Sequence, residues 1–263
     1  LGEFLVDNVA VDVDANQSTI TMYDGMYTAS KTAYNLTDDQ FISPITLQAL
    51  ATLVSSKFEW ALDPNFNTLP NYDKNISENL WKNIANTKYR DVINEIAQAT
   101  GTTAILRYDD TTPTNEPILS FVPYDLNAEV MTKANLIKFK VGKHYGNLNQ
   151  ITTSRMPQDD NILVGNETDI TANGVKNYSF VNNEIMDDDR SSYLAELYPA
   201  LIGTTPFINI DEITLETEGH GWYEIGDVFT TTIDAVDYHP MVQEHTMKIT
   251  GGITETIISV IPT

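Results

Sequence analysis

His239, Glu244 and His245 fall in one short stretch, and imidazole and carboxylate groups are zinc donors. A helical zinc motif of the His-Glu-x-x-His type puts its histidines at i and i+4 on one face. That spacing is not met here, and the stretch reads as strand and turn. His144 and His220 complete the four histidines, and all four read as surface or turn residues. Asp159-Asp160 and Asp187-Asp188-Asp189 raise calcium as a second chemistry. A helix–loop–helix calcium loop needs alternating oxygen ligands, a central glycine and a closing glutamate. Neither run has that pattern. Asp187–Asp189 instead precede an expected helix, where carboxylates satisfy free N–H groups and suit the helix dipole.

Paired carboxylates for glycoside hydrolysis are defined by spatial separation, and with 37 acidic residues some pair always looks suggestive. No Gly-x-Ser-x-Gly elbow and no phosphate-binding glycine loop occurs. Trp60, Trp81, Trp222 and Tyr223 could stack on sugars, but such aromatics read first as core or hairpin anchors. Asn35, Asn75, Asn166 and Asn177 open glycosylation-type triplets, to which no function is assigned. The chain has no cysteine, which excludes disulfides, thiolate chemistry and cysteine-based zinc sites. No catalytic residue, metal ligand or cofactor site is therefore assigned.

The elements that would position any site belong to a chain of 263 residues with 41% hydrophobic and 20% charged content. That is enough for a sizeable core, and two domains are expected. No run of about 18 apolar residues suggests a membrane span. No basic, apolar, small-residue leader opens the chain. The net charge of −22 repels a nucleic-acid backbone. It serves solubility, or it makes a surface that nucleic acid passes without sticking. The chain opens at Leu1 on a strand-like run and stops just after another, so it is expected to be part of a longer polypeptide.

Phe4–Val6, Val9–Val13 and Ser18–Asp24 alternate as a hairpin around a turn at Asp14–Gln17. A helix is predicted over 44–62, with Ser43 as N-cap, Pro44 in the first turn and Trp60-Ala61-Leu62 at its end. A second is predicted over 87–100, capped by Thr87, with Tyr89, Val92, Ile93, Ile96 and Ala97 as its apolar face and Gly101 as its stop. Strands follow at 103–108 and 118–122, then a linker at 124–134 and strands at 136–141 and 149–154. A third helix is predicted over 189–202, and from Phe207 onward the pattern is strand and turn, consistent with a small β-barrel.

Five stretches carry a resemblance. They are Leu1–Met26, Tyr89–Ala104, Asn149–Asn161, Asn182–Asp187, and Gly219–Asp227 with its Gly221-Trp222-Tyr223 and Gly226-Asp227 core. In this order they resemble segments of bacteriophage baseplate and tail hub proteins of the siphophage type, including the N-terminal hub region of tail-associated lysozymes. The resemblance implies an α+β fold: β-barrel-like domains with a small helical and hairpin domain between them. It divides the chain into residues 1–36 as the end of a first β-domain, 37–130 as a helix–helix–β-hairpin domain, and 131–263 as a second barrel-like domain with one short helix. Gly221, Trp222, Tyr223, Gly226 and Asp227 become a structural hairpin rather than a ligand site.

The same resemblance implies a homotrimeric virion component, made in the host cytoplasm, that closes the tail tube. It would contact a distal tail protein, a tape measure protein and receptor-binding or fibre proteins, while DNA passes the channel without specific binding. No enzyme activity, cofactor or membrane span is implied for this segment, although a peptidase or lysozyme module follows it in many relatives. Two other classes stay open at this point: a receptor- or glycan-binding tail module, and a cell-wall hydrolase.

Overall fold

In a computed structural model of the chain, the described residues are 5–12, 17–33, 45–76, 87–108, 116–123, 136–147, 149–154, 162–181, 183–186, 189–201, 209–217, 231–233, 236–238, 241–249 and 253–261. Helices and strands are mixed along the chain, so the fold is α+β. Two compact units emerge. One comprises 1–122 and 183–193, the other 123–182 and 194–263.

In the first unit, β1 (Leu5–Asp12) and β2 (Gln17–Tyr23) pair as an antiparallel hairpin, as the alternation predicted. Helix α1 (Gly25–Lys31) follows at once and buries Met26 and Ala29. Helix α2 (Leu47–Lys57) buries Leu47, Leu50, Ala51 and Val54. Helix α3 (Tyr89–Thr100) buries the whole predicted face: Tyr89, Val92, Ile93, Ile96 and Ala97. Both α1 and α2 pack on α3. A three-stranded sheet runs in the order β3 (Ala61–Leu62), β5 (Pro117–Pro123), β4 (Thr102–Tyr108), with β3 and β5 parallel. Leu119 and Phe121 of β5 are buried, and Phe66 meets Phe121 edge-on at 5.1 Å.

Three predicted boundaries are corrected. Ser43 and Pro44 lie outside the described residues, and Thr46 caps α2, its hydroxyl accepting from the Ala49 N–H at 3.2 Å. Leu47 and Gln48 N–H groups donate to the Lys74 and Tyr72 carbonyls, which satisfies donors a helix start leaves free. The helix ends at Lys57, not at Leu62. Glu59 takes φ 59°, the Trp60 N–H returns to the Ser55 carbonyl, and Ala61–Leu62 enter the sheet. Lys88 rather than Thr87 precedes α3, its N–H bonding the Asp91 carboxylate at 3.1 Å. Gly101 does end α3, in the left-handed conformation at φ 65° that a residue without Cβ adopts freely.

At Gly25 it is close approach that matters. A Cβ there would stand 2.8 Å from Leu106 Cδ2 and 3.2 Å from the Trp60 ring. Alanine would gain about 1 kcal/mol of helix propensity, but overpacking costs about 1–3 kcal/mol. Gly25→Ala is therefore expected to lower the melting temperature in a thermal scan, and a rise would contradict the packing.

In the second unit, β7 (Gln150–Ser154) lies between β8 (Ile162–Gly165), antiparallel, and β9 (Asn177–Val181), parallel. Helix α4 (Glu167–Asn173) joins β8 to β9, and the apolar periodicity did not reveal it. Asn149 organises this knot. Its Nδ2 donates to Asp169 Oδ2 and to the Gly174 carbonyl, and its Oδ1 accepts from the Lys176 N–H, each at 2.7 Å. Asn166 caps α4 by accepting from the Asp169 N–H. Helix α5 (Arg190–Leu201) matches the third predicted helix, with Tyr193, Leu194 and Leu197 buried. Its first four residues belong to the first unit and the rest to the second.

The remaining elements described in this unit are strands: β6 (Leu136–Asn147), which outruns the predicted 136–141, and then, as expected beyond Phe207, β10 (Asn209–Thr217), β11 (Thr231–Ile233), β12 (Val236–Tyr238), β13 (Met241–Ile249) and β14 (Ile253–Ile261). One sheet runs β13-β14-β10-β6. Among the described residues it is open, and no closed barrel is formed.

Candidate assembly surface

The feature of the first unit that asks for a partner is the β1–β2 hairpin. Its register pairs Leu5 with Tyr23, Val6 with Met22, Asn8 with Thr21, Val9 with Ile20 and Val11 with Ser18, with a bulge between Val6 and Asn8. Side chains alternate between faces along a strand, and a bulge inserts one extra residue. Val6, Val9 and Val11 therefore share a face with Met22, Ile20 and Ser18. The opposite face holds Leu5, Asn8, Ala10, Asp12, Thr21 and Tyr23. One face of the ribbon is apolar, the other mixed.

The apolar face is open to solvent. Exposure is 59% at Val6, 55% at Val9, 65% at Val11, 53% at Ile20 and 49% at Met22. Scattered exposed apolar residues are ordinary, but a contiguous stripe marks an interaction surface. An isolated two-stranded hairpin is marginal in water. Among the described residues, neither β1 nor β2 has a further strand beside it. Exposed edges are usually defended by lysine or proline. No lysine, arginine or proline falls between Leu5 and Tyr23.

The foot of the hairpin is fixed. The Tyr23 and Tyr27 rings stack at 4.1 Å, nearly parallel, and Lys31 Nζ lies 4.9 Å over the Tyr27 ring. The Tyr27 N–H bonds the Asp24 carbonyl at 3.1 Å, which starts α1. The ribbon is thus tied to α1, which is packed on α3.

The residues singled out from sequence are distributed differently. Gly221, Trp222, Tyr223, Gly226 and Asp227 lie outside the described residues, as do Trp81, His220, His239, Asp159, Asp160, Asp187 and Asp188. His144 lies in β6 in register with Asp211, and His245 in β13 in register with Ile257. Glu244 and His245 are neighbours in a strand, not on a helix. Among the described residues, no group of three or more histidine, aspartate or glutamate side chains is arranged to hold a metal. Asp189 stands directly before α5. Trp60 is buried and stacks on Phe58 at 4.6 Å, so it anchors the core and offers no face to a sugar.

These geometries bear on the comparison with solved structures. A prophage tail protein from Listeria monocytogenes is similar at 15% identity and a TM-score of 0.53, over 98% of this chain and 76% of that one. A tail protein from Neisseria meningitidis is similar at 10% identity and a TM-score of 0.61, over 98% and 79%. The fold is that of phage tail proteins. The tail protein of prophage MuSo2 from Shewanella oneidensis agrees, at 12% identity and a TM-score of 0.54, over 97% and 78%. No protein-family model and no curated protein sequence matches the chain. Among the described residues, no helix of this tail-protein fold is long and apolar enough to cross a membrane.

Sequence reading found the hairpin but not its one-sided character, because the bulge between Val6 and Asn8 breaks simple alternation. The signal was available in Val6, Val9, Val11, Ile20 and Met22 once one extra residue is allowed.

Proposed function

We propose that this chain is a structural component of a phage or prophage-derived tail tip, a baseplate hub that closes the tail tube. The observation that carries the reading is the exposed apolar face of β1–β2 on a fold shared, over nearly the whole chain, with phage tail proteins. The occupant of that face is a second copy of this chain, in a homotrimer. Each copy carries a net charge of −22, so copies repel wherever acidic surface meets acidic surface. The apolar stripe is where they approach at least electrostatic cost.

In this reading residues 1–36 complete a first β-domain, 37–130 form the helical and hairpin domain, and 131–263 form a barrel-like domain. Gly221, Trp222, Tyr223, Gly226 and Asp227 hold a hairpin of that last domain. The trimer anchors a distal tail protein, a tape measure protein and receptor-binding or fibre proteins, and it resides in the virion after synthesis in the host cytoplasm. Its acidic residues line a channel that DNA passes without binding, because 37 acidic residues outnumber the 15 lysines and arginines that could neutralise phosphates. The segment itself catalyses nothing.

Particle imaging of the purified chain tests the reading. Rings with three-fold symmetry and an acidic lumen are the expected result. A neutral or basic lumen removes the channel role, and particles without three-fold symmetry remove the hub.

A further inference from the structure

Beyond assembly, the first unit contains a half-buried acid, Glu95, with one carboxylate oxygen shut off from solvent. Glu95 lies on α3, on the side where residues Asn183–Met186 return to the unit. Asn183 fixes that return. Its Oδ1 accepts from the Ile185 N–H at 3.1 Å and the Met186 N–H at 3.3 Å. Its Nδ2 donates to the Glu95 carbonyl at 3.3 Å and to Gln98 Oε1 at 3.1 Å. Ile185 and Met186 are then fully buried. The turn is pinned to α3 through one asparagine and covers the Glu95 side chain.

The carboxylate under the turn is imperfectly served. The Ile185 and Glu184 backbone N–H groups lie near enough to favour its charged form, and the first of them is already engaged by Asn183 Oδ1, whereas among the described residues Oε2 is shut off from solvent with no hydrogen-bond partner. The charged groups that act on it are Glu184 from the turn and Asp91 from α3, both acidic. Burying an ionised carboxylate without a counter-charge is costly, and a neutral one is not.

We propose that Glu95, Glu184 and the Asn183–Met186 turn form a proton-operated clasp. The turn is fastened to α3 while Glu95 carries a proton and loosens when the proton leaves. Burial, then Glu184, push the Glu95 carboxyl from its ordinary 4.5 up to about 7, against the smaller opposing pull of the two N–H donors. The sign follows from linkage. An acid whose pKa is raised in the closed state favours closure fully below 4.5, and that advantage is lost as pH rises through about 7. A shift of this size changes the opening equilibrium by roughly 10²-fold.

Carboxyl NMR titration of the intact chain, with hydrogen exchange at Ile185 and Met186, decides it. A Glu95 midpoint near neutrality is expected, and a midpoint in the ordinary carboxylate range overturns the clasp. Between pH 5 and pH 8, amide protection corrected for intrinsic exchange should fall roughly 10²-fold. Protection that stays flat overturns it. Glu95→Gln should remove the pH dependence, and its persistence assigns the effect elsewhere. Glu184→Gln leaves Glu95 in place and should lower its midpoint, whereas an unmoved midpoint removes Glu184 from the device. The wild-type titration stands by itself if Glu95→Gln does not fold.

Discussion

The Val9→Asp/Ile20→Asp double variant is expected to remain single chains at concentrations where the wild type associates. Val9 and Ile20 face each other across the hairpin and lie at the centre of its apolar stripe. Burying one such side chain contributes about 1.5–3 kcal/mol. Losing two, with two carboxylates facing a partner that is itself acidic, weakens association by at least about 10²-fold. Both positions are solvent-exposed in the single chain, so the unit should stay folded, with the two facing carboxylates weakening the hairpin itself by up to about 1 kcal/mol. Asn8→Asp with Ala10→Asp supplies the control on the opposite face, with the same two added charges. Sedimentation should separate the two: the double variant dissociates and the control does not. Equal dissociation would make the effect one of net charge alone. A fall of 10 °C or more in melting temperature for the double variant would mean the stripe packs within its own chain.

The second large effect is expected at Asn149, in the other unit. Its side chain makes two donor bonds and accepts one, each at 2.7 Å, and it is wholly buried. Asn149→Ala leaves the Asp169 carboxylate, the Gly174 carbonyl and the Lys176 N–H short of a partner. A buried group left unsatisfied costs about 1–3 kcal/mol, more when charged. Asp169 is buried, whereas Gly174 is exposed and Lys176 half-buried, so the expected loss is about 1–3 kcal/mol, or roughly 3–10 °C in the melting of this unit. The bonds join the start of β7, the end of α4 and the entry to β9, so hydrogen exchange should rise across all three. A variant that melts within a degree of wild type would show that water replaces the amide, and the knot would not be the organiser of the unit.

What the sequence made legible follows the range of the forces involved. The apolar face of α3 and its stop at Gly101 were read correctly, because 3.6-residue periodicity and a left-handed glycine are local signals. The start of α2 was misread because Ser43-Pro44 is the stronger local pattern. The real start at Thr46 is fixed by the Lys74 and Tyr72 carbonyls, which no local rule sees. Its end was misread because Glu59, not a glycine, takes the left-handed turn. Helix α4 has only seven residues, too few for a periodic stripe, although Asn166 followed by Glu167 and Asp169 is a start signal. Asn149 stood in a stretch that resembled tail hub proteins, yet its role emerged only when Asp169, Gly174 and Lys176 came together in space. The hairpin was visible as alternation, and its single apolar face appeared only through the bulge.

The central claim is that copies of this chain meet through the β1–β2 hairpin. Sedimentation equilibrium over a wide concentration range tests it most directly. The account predicts a mass rising to three times the 29.4 kDa of one chain, and a fall back to one chain with Val9→Asp/Ile20→Asp. A wild-type chain that stays at 29.4 kDa throughout, or a trimer that the double variant leaves intact, would contradict it.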